Sequence, residues 1–338
     1  MGKRSCAPWP SGAWRKELAD VVTDVGELIQ LLDLGNSPPY AAPSALRGFP
    51  LRVPRAFVAR MRPGDPNDPL LRQVLPVAKE DELVSGFTVD PVGELSSPPD
   101  DSVMHKYQGR ALVIAAGSCA VHCRYCFRRH FPYTDSRSET SDWDRVIDRI
   151  ASDPEISEVI LSGGDPLTVP DSRLEVLGRK LATLPQLKRL RIHTRLPIVL
   201  PKRVDGALTS WIGGLGVPMV VVVHANHANE IDDDVRRSLA ALEGTGVTLF
   251  NQAVLLAGVN DSVAALTDLG ETLFNAGVLP YYLHMLDPVS GAAHFEVPEA
   301  EAKRLHAEVA TLLPGYLVPK LVREVPGAPA KVGVDLWR

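Results

Sequence analysis

The chain has 338 residues, of which 45% are hydrophobic and 23% are charged, and its formal net charge is −5 at pH 7. This composition is typical of a globular protein and excludes a mainly disordered chain, a coiled coil and a collagen-like repeat. The excess of acidic residues also argues against a generally basic protein that binds nucleic acid.

The chain carries no sign of a membrane-spanning or exported protein. Its apolar stretches, such as residues 217–223, are far shorter than the ~20 residues that a membrane-spanning helix needs. The basic residues near the N-terminus are not followed by the apolar segment of an export signal. Four cysteines are too few for a disulfide-rich secreted domain. We therefore expect a cytoplasmic enzyme without membrane or nucleic-acid partners.

Residues 1–104 are rich in proline, with 14 of the 29 prolines in the first 100 positions. Because proline cannot donate to a β-ladder, this part is not a run of central strands. It is predicted to be a mainly helical extension made of short helices and loops. The apolar spacing over 17–34 favours one helix there, ended by the prolines at 38 and 39.

From about residue 105 short apolar runs alternate with helical patterns. Strands are predicted at 111–116, 158–161, 189–193, 219–223, 247–250 and 279–283. Helices are predicted near 141–152, 171–183, 203–212, 230–243, 262–276 and 299–312. This alternation predicts an α/β core over 105–313, with parallel strands in an open sheet or a partial barrel, followed by a C-terminal segment over 314–338. The site is expected where the strands end and polar residues follow.

The placement of the cysteines is the strongest signal. Cys6 stands alone, whereas Cys119, Cys123 and Cys126 follow the first predicted strand in the spacing Cys-x3-Cys-x2-Cys. Three thiolates this close favour one inorganic centre, which is either a [4Fe–4S] cluster with three protein ligands or a zinc site completed by a nearby histidine. A redox couple at Cys123 and Cys126 explains less, because it leaves Cys119 without a role.

The cysteine spacing after a first strand resembles the radical S-adenosylmethionine (SAM) superfamily. The run Ser162-Gly-Gly-Asp-Pro166, one β/α unit later, is similar to the glycine-rich SAM motif of that family. The resemblance implies a partial (β/α)6 barrel, a [4Fe–4S] cluster on the three cysteines, and SAM bound at the open iron. It assigns SAM contacts to Ser162, Gly163, Gly164 and Asp165. His224 and Asn226 follow the fourth predicted strand, and we expect them to face SAM as well.

A narrower resemblance covers about residues 105–331. Segments 125–129, 190–201, 224–230, 251–261 and 280–287 are similar to lysine 2,3-aminomutases, which also use pyridoxal 5′-phosphate (PLP). Lys331 falls at the position of the lysine that forms the Schiff base with PLP. The resemblance further assigns PLP contacts to Lys106, Tyr107, Arg110, Asn251 and Gln252.

The same resemblance implies L-lysine as the substrate. Arg128 matches the arginine that binds the substrate carboxylate, and Asp287 and Glu324 match the carboxylates that bind the side-chain ammonium. The implied reaction is the conversion of (S)-α-lysine to (R)-β-lysine, started by a 5′-deoxyadenosyl radical and supported by an electron donor. We expect no zinc, because the zinc-binding C-terminal sequence of longer relatives has no counterpart here. A homo-oligomer is compatible with these features.

One branch of the family is the most similar to this chain, and it makes β-lysine for the β-lysine ligase of elongation factor P. The similarity lies in the short length and in residues 128–133 and 315–320. Two alternatives remain open. One is a radical SAM and PLP aminomutase that makes a β-amino acid for another pathway. The other is a non-catalytic iron–sulfur or zinc protein.

Overall fold

The computed structural model describes residues 8–35, 48–95, 102–132 and 143–334. In these ranges one sheet of nine strands runs in sequence order from β1 to β9. The strands are β1 (Val103–Tyr107), β2 (Arg110–Ala116), β3 (Glu158–Gly163), β4 (Arg189–Thr194), β5 (Met219–Val223), β6 (Thr248–Val254), β7 (Leu279–His284), β8 (Lys320–Arg323) and β9 (Val332–Gly333). Strands β2 to β8 are parallel, and β1 and β9 add antiparallel edges.

The first four helices of the described residues belong to the N-terminal extension, and the later helices connect the parallel strands. The helices are α1 (Ala13–Ala19), α2 (Val25–Leu31), α3 (Arg55–Val58), α4 (Pro69–Arg72), α5 (Trp143–Ala151), α6 (Asp171–Ala182), α7 (Leu196–Val199), α8 (Gly206–Gly213), α9 (Asp233–Glu243), α10 (Val263–Asn275) and α11 (Glu299–Leu312). The six predicted strands correspond to β2–β7, and the six predicted helices of the core correspond to α5, α6 and α8–α11. The first two residues of the helix predicted over 141–152 lie outside the described residues, as does Cys6.

The two faces of the sheet differ in polarity. On the outer face alternate residues such as Val113, Leu161 and Ile192 enter the same hydrophobic core as the helices. The residues between them point to the inner face, where β4 carries Arg191 and His193. A helix-covered outer face and a polar inner face are what a barrel with an internal site requires.

The sheet curls until its two ends meet. The hydroxyl of Tyr107, at the end of β1, donates a hydrogen bond to the carboxylate of Glu324, which follows β8. The strand order is nevertheless linear, so this junction is made by side chains and not by a ladder between the edge strands. The expectation of a partial barrel is confirmed.

The prediction of one continuous helix over 17–34 is wrong, because the structure has two helices in this region, α1 and α2. Between α1 and α2, Val22 leaves the helical conformation and exchanges two backbone hydrogen bonds with Val53, of 2.9 and 3.0 Å. Asp24 then caps α2 by accepting a hydrogen bond from the amide of Glu27 at 2.8 Å. A pairing with a distant residue overrides a continuous local pattern here.

The extension packs directly on the loop that follows β2, residues 117–132, which we call the cysteine loop. The amide of His122 donates to the carbonyl of Arg52, and the amide of Arg124 to the carbonyl of Gln73, both at 2.9 Å. The guanidinium of Arg52 donates to the carbonyl of Cys119 at 2.9 Å. The extension therefore holds the backbone of the loop that carries the three cysteines.

A buried ion cluster reinforces this contact. Glu80 is fully buried and pairs with Arg124 and with Arg129, both from the cysteine loop. The Nε of Arg124 donates to Glu80 at 2.9 Å, and the Nη2 of Arg129 donates to it at 2.6 Å. Two buried cations thus share this carboxylate. None of the described helices is both long and apolar enough to cross a membrane.

Replacing Glu80 tests how much this cluster stabilises the fold. Glu80→Gln removes the carboxylate that two buried guanidinium groups share, which costs about 3–5 kcal/mol of the free energy of unfolding. Urea denaturation of the cofactor-free protein measures the change. The control is Glu175→Gln, which removes an exposed pair with Arg179 and should leave stability unchanged. Equal stability of the two variants would contradict this account.

Candidate active site

The cysteine loop, the glycine motif and several other predicted site residues lie at the carboxyl-terminal edge of the parallel strands, which we call the mouth, whereas Arg110 begins β2 and Asn251 and Gln252 lie within β6. The cysteine loop follows β2, the glycine motif ends β3, and Arg195 follows β4. His224 follows β5, while Asp287 and Glu324 follow β7 and β8. Parallel strands bring all of these ends to one side of the sheet, so the topology alone makes them neighbours.

The three thiols of the cysteine loop influence one another electrostatically. Burial raises the pKa of Cys119, and the nearby Cys126 and Cys123 thiols add to the rise. Burial also raises the pKa of Cys126 to about 11. Neutral thiols of this kind lose their protons on binding a metal centre.

The donor set fits a [4Fe–4S] cluster with three cysteine ligands. The cysteines lie on one loop, with a tight turn in which the amide of Cys126 donates to the carbonyl of Cys123 at 3.0 Å. Within the described residues, no three His, Cys, Asp or Glu side chains are grouped as ligands of a single metal ion. A cubane does not need that grouping, because each cysteine binds a separate iron.

The glycine motif packs against the cysteine loop. The amides of Gly164 and Asp165 donate to the carbonyls of Ala116 and Ser118 at 2.7 and 2.8 Å. A Cβ on Gly164 would lie 2.3 Å from the carbonyl oxygen of Ser118, and Gly163 has a φ of 110°. Both glycines are therefore required for close approach to the protein's own loop, beside any contact with a ligand.

The carboxylate of Asp165 is engaged with the protein. It accepts hydrogen bonds from the Thr194 hydroxyl and the Arg195 amide, both at 2.7 Å. The amides of Leu167 and Leu196 donate to it at 3.0 and 3.2 Å. We therefore interpret Asp165 as a positioning residue that joins the ends of β3 and β4, and Ser162, which accepts from Arg128, lies beside it.

The remaining residues assigned to SAM form a buried network. Asn226 donates from Nδ2 to the Tyr125 hydroxyl at 2.7 Å and to Gln73 at 2.9 Å, and its Oδ1 accepts from the Val254 amide at 2.8 Å. His224 lies 3.2 Å from the Tyr125 hydroxyl, and burial lowers the pKa of His224 to about 3. These side chains support the floor beneath the cysteine loop.

The residues assigned to PLP separate into two groups. The Asn251 side chain binds the protein's own backbone, because it exchanges hydrogen bonds of 2.8 and 3.0 Å with the amide and carbonyl of Ala225. Lys331, Tyr107 and Arg110 lie together at the junction of the sheet ends, where the Arg110 guanidinium sits 5.0 Å above the Tyr107 ring. Gln252 lies on β6, and Lys106 lies on β1, next to Tyr107.

Lys331 meets Glu324 at this junction. Its Nζ lies 2.6 Å from the carboxylate of Glu324, which is 6% exposed, and 5.9 Å from the Tyr282 ring. Glu324 also accepts the hydrogen bond from Tyr107. A buried carboxylate that holds an alkylammonium group is the recognition element that the side chain of lysine needs.

The inner face also offers an unsatisfied polar atom. The Nε2 of His193 is buried and has no hydrogen-bond partner within the described residues. Burial lowers the pKa of His193, and the charges of Arg191 and Lys331 lower it further, so the imidazole is neutral. Lys331, Tyr107, Arg110 and this nitrogen together fit a polar cofactor such as PLP on the inner face.

Arg128 is held by a glutamate from the extension. Its Nε and Nη2 donate to the carboxylate of Glu94 at 2.6 and 3.0 Å, and its Nη1 donates to Ser162 at 3.2 Å and to the carbonyl of Gly163 at 3.0 Å. Glu94 lies in residues 88–95, which we call the strap. The strap also reaches the Asp287 loop, where the Thr88 amide donates to the carbonyl of Pro288 at 2.9 Å.

Sequence reasoning missed several residues of the site. They are Gln73, Glu80, Glu94, Arg195 and Glu230, each buried and bonded to the cysteine loop or to a side chain beside it. Arg195 and Glu230 had an available signal, because both lie in segments that carry the family resemblance and Arg195 also follows a predicted strand end. The others have partners far away in the sequence.

Comparisons with known proteins find similar sequences. A family model described as a 4Fe-4S single cluster domain matches residues 108–190. The L-lysine 2,3-aminomutase of Escherichia coli (strain K12) is 48% identical over 324 residues, which cover 96% of this chain and 94% of the relative. The L-lysine 2,3-aminomutase of Clostridium subterminale is 32% identical over 95% of this chain and 77% of the relative.

Among solved structures, SuiB of Streptococcus suis bound to S-adenosylmethionine aligns with a TM-score of 0.47 at 14% identity. The alignment covers 65% of this chain and 51% of that chain.

The packing of Gly164 generates a prediction about the cysteine loop. Gly164→Ala forces the Ser118 backbone away and moves the first cysteine, so we expect a several-fold loss of bound iron and sulfide after anaerobic reconstitution, with a lower melting temperature. Gly315→Ala is the control, because nothing lies within 4 Å of a Cβ at that position. Equal iron loading in both variants would show that the loop tolerates the shift.

Proposed function

The chain belongs to the L-lysine 2,3-aminomutase family, and we propose from this premise that it converts L-lysine to (R)-β-lysine with the help of PLP. Members of this family are isomerases that move an amino group within one molecule. The observation that carries the proposal is the presence of three elements at one mouth. These are the cysteine loop, the Arg128 guanidinium, and the pair of Lys331 with Glu324.

The candidate cofactor sites divide among the residues of the mouth. Cys119, Cys123 and Cys126 would hold the cluster, the glycine motif would approach SAM, and Lys331 would hold PLP with support from Tyr107, Arg110 and Gln252. When bound together, these groups supply hydrogen-atom abstraction from C3 of the substrate and a conjugated ring that carries the migrating α-nitrogen. The protein's contribution is binding, orientation and the exclusion of water.

Recognition of the substrate rests on groups of opposite charge. Arg128 would bind the α-carboxylate, and Glu94 holds its guanidinium in place through two hydrogen bonds. Asp287 and Glu324 would bind the side-chain ammonium. Glu324 already binds an ammonium group of the same chemistry, that of Lys331, which supports a cationic substrate over an acidic one.

We further propose that the product serves the β-lysylation of elongation factor P. Support comes from residues 128–133 and 315–320, which are similar to the branch of the family with that role. A coupled assay with the ligase and elongation factor P tests this step. Formation of β-lysine without its transfer to elongation factor P would favour another pathway.

The reaction itself is tested with full-length protein reconstituted anaerobically with iron, sulfide, PLP, SAM and a strong reductant. We expect L-lysine to yield (R)-β-lysine by chiral chromatography with mass detection. Lys331→Ala should give no detectable product and lose the absorbance of bound PLP, while its cluster remains. Lys320→Ala is the matched control, because Lys320 is an exposed lysine on β8. Loss of product with Lys320→Ala instead would overturn the assignment.

Substitution of Glu324 tests recognition of the substrate ammonium. Glu324→Gln removes a charged hydrogen-bond partner worth about 1.5–3 kcal/mol, so the KM for L-lysine should rise by about 10- to 100-fold. Glu299→Gln, which removes an exposed partner of Arg323, provides the control. PLP absorbance is recorded in both, since Glu324 also contacts Lys331. An unchanged KM with PLP fully bound would exclude Glu324 from substrate binding.

A further inference from the structure

A buried arginine at the end of β4 contacts one of the three cysteines. Arg195 is 6% exposed, and its Nη1 lies 2.7 Å from the Sγ of Cys123. The same nitrogen donates to the Tyr125 hydroxyl at 2.7 Å, and Nη2 donates to Gln73 at 2.7 Å. Its backbone amide is held by Asp165, so the side chain starts from a fixed point.

Glu230 balances the charge of Arg195. It is fully buried, and its Oε2 lies 3.1 Å from the Nη2 of Arg195. Its other oxygen accepts hydrogen bonds from the amides of Asn226 and His227, at 2.8 and 3.1 Å, and from the Gln73 side chain at 3.0 Å. The carboxylate is therefore fixed in direction and distance relative to the guanidinium.

A cluster bound to Cys123 would sense both charges. Reduction adds one electron to the cluster, and a cation that donates a hydrogen bond to a ligand sulfur stabilises the more negative state. The interaction is stronger in a buried site than in water, because the effective dielectric constant is lower. An anion behind the cation weakens the same effect.

We propose that Arg195 is a positioning residue that raises the reduction potential of the cluster through its hydrogen bond to Cys123, and that Glu230 limits this rise. The inference rests on the proposed function, because it assumes a [4Fe–4S] cluster on the three cysteines. The pair would set a potential at which an external donor reduces the cluster while the cluster still reduces SAM.

The test is a redox titration of the reconstituted full-length protein, followed by the electron paramagnetic resonance signal of the reduced cluster. Arg195→Gln removes the cation, so the equilibrium constant for one-electron reduction should fall about tenfold, which is ~59 mV. Arg195→Lys keeps the charge and should shift the equilibrium less. Glu230→Gln removes the balancing anion and should shift the equilibrium in the opposite direction.

Arg203→Gln is the matched control. Like Arg195, Arg203 is a buried arginine that pairs with a carboxylate, that of Asp171 at 2.8 Å, but its Nε donates to the carbonyl of Leu167 at 2.6 Å and not to a cysteine. Its removal should leave the potential unchanged. A shift equal to that of Arg195→Gln would show that any buried cation in this region has the same effect and would overturn the proposal.

Arg195→Gln and Glu230→Gln are expected to shift the reduction potential in opposite directions. This distinguishes an electrostatic effect on the cluster from general damage to the site. Shifts of Arg195→Gln and Glu230→Gln in the same direction, or no shift at wild-type iron and sulfide content, would overturn the inference. If the Arg195→Gln variant binds no cluster, the shifts in reduction potential of Arg195→Lys and Glu230→Gln are compared instead. Shifts in the same direction would again overturn the inference. Failure of the wild-type protein to bind a cluster would instead refute the proposed function, and the inference with it.

Discussion

The site depends on a constraint that the cysteine loop cannot meet by itself. Residues 117–132 contain no helix or strand, yet three thiols must be held at fixed separations to share one cluster. The loop is therefore fixed from two sides. The glycine end of β3 bonds to the carbonyl of Ser118, and the extension bonds to the backbone of His122 and Arg124. Both contacts are backbone contacts, which position a chain more rigidly than long side chains do.

Buried carboxylates extend this constraint to the arginines of the site. Glu80 pairs with Arg124 and Arg129, and two further pairs join Glu94 with Arg128 and Glu230 with Arg195. A buried ion pair adds little net stability, because the loss of solvation offsets the attraction. Removing one partner nevertheless lowers the free energy of unfolding considerably. Each pair therefore holds its guanidinium group in one orientation. The pairs are better explained by positioning than by stability.

The sequence predicted the parts of the molecule that depend on local pattern. Strands β2–β7 and their helices follow from hydrophobic periodicity, because one face of each element enters the core. β1, β8 and β9 were missed, since they are short strands at or near the edges of the sheet and carry little of the apolar pattern. The split between α1 and α2 was missed for another reason, because Val22 pairs with Val53, which is 31 positions away.

The candidate site shows the same division. The cysteine spacing is local and could be read directly, whereas Lys331 and Glu324 were assigned only by resemblance. The partners of Arg128 and Arg195 could not be predicted, because Glu94 lies 34 positions from Arg128 and Gln73 lies 122 positions from Arg195. The glycines of the motif were interpreted as approaching a ligand, and their closest neighbour in the structure is the protein's own loop.

The strap explains why the extension belongs to the catalytic core. One half of the mouth carries the cysteine loop and Arg195, and the other carries Lys331 and Glu324. The strap bonds to Arg128 in the first half through Glu94, and in the second it pairs with the Asp287 loop through Thr88. The proposed reaction transfers a hydrogen atom between groups held by the two halves, and such a transfer needs their separation fixed to about 0.5 Å. A single segment bonded to both halves links them directly, in addition to the sheet that carries both.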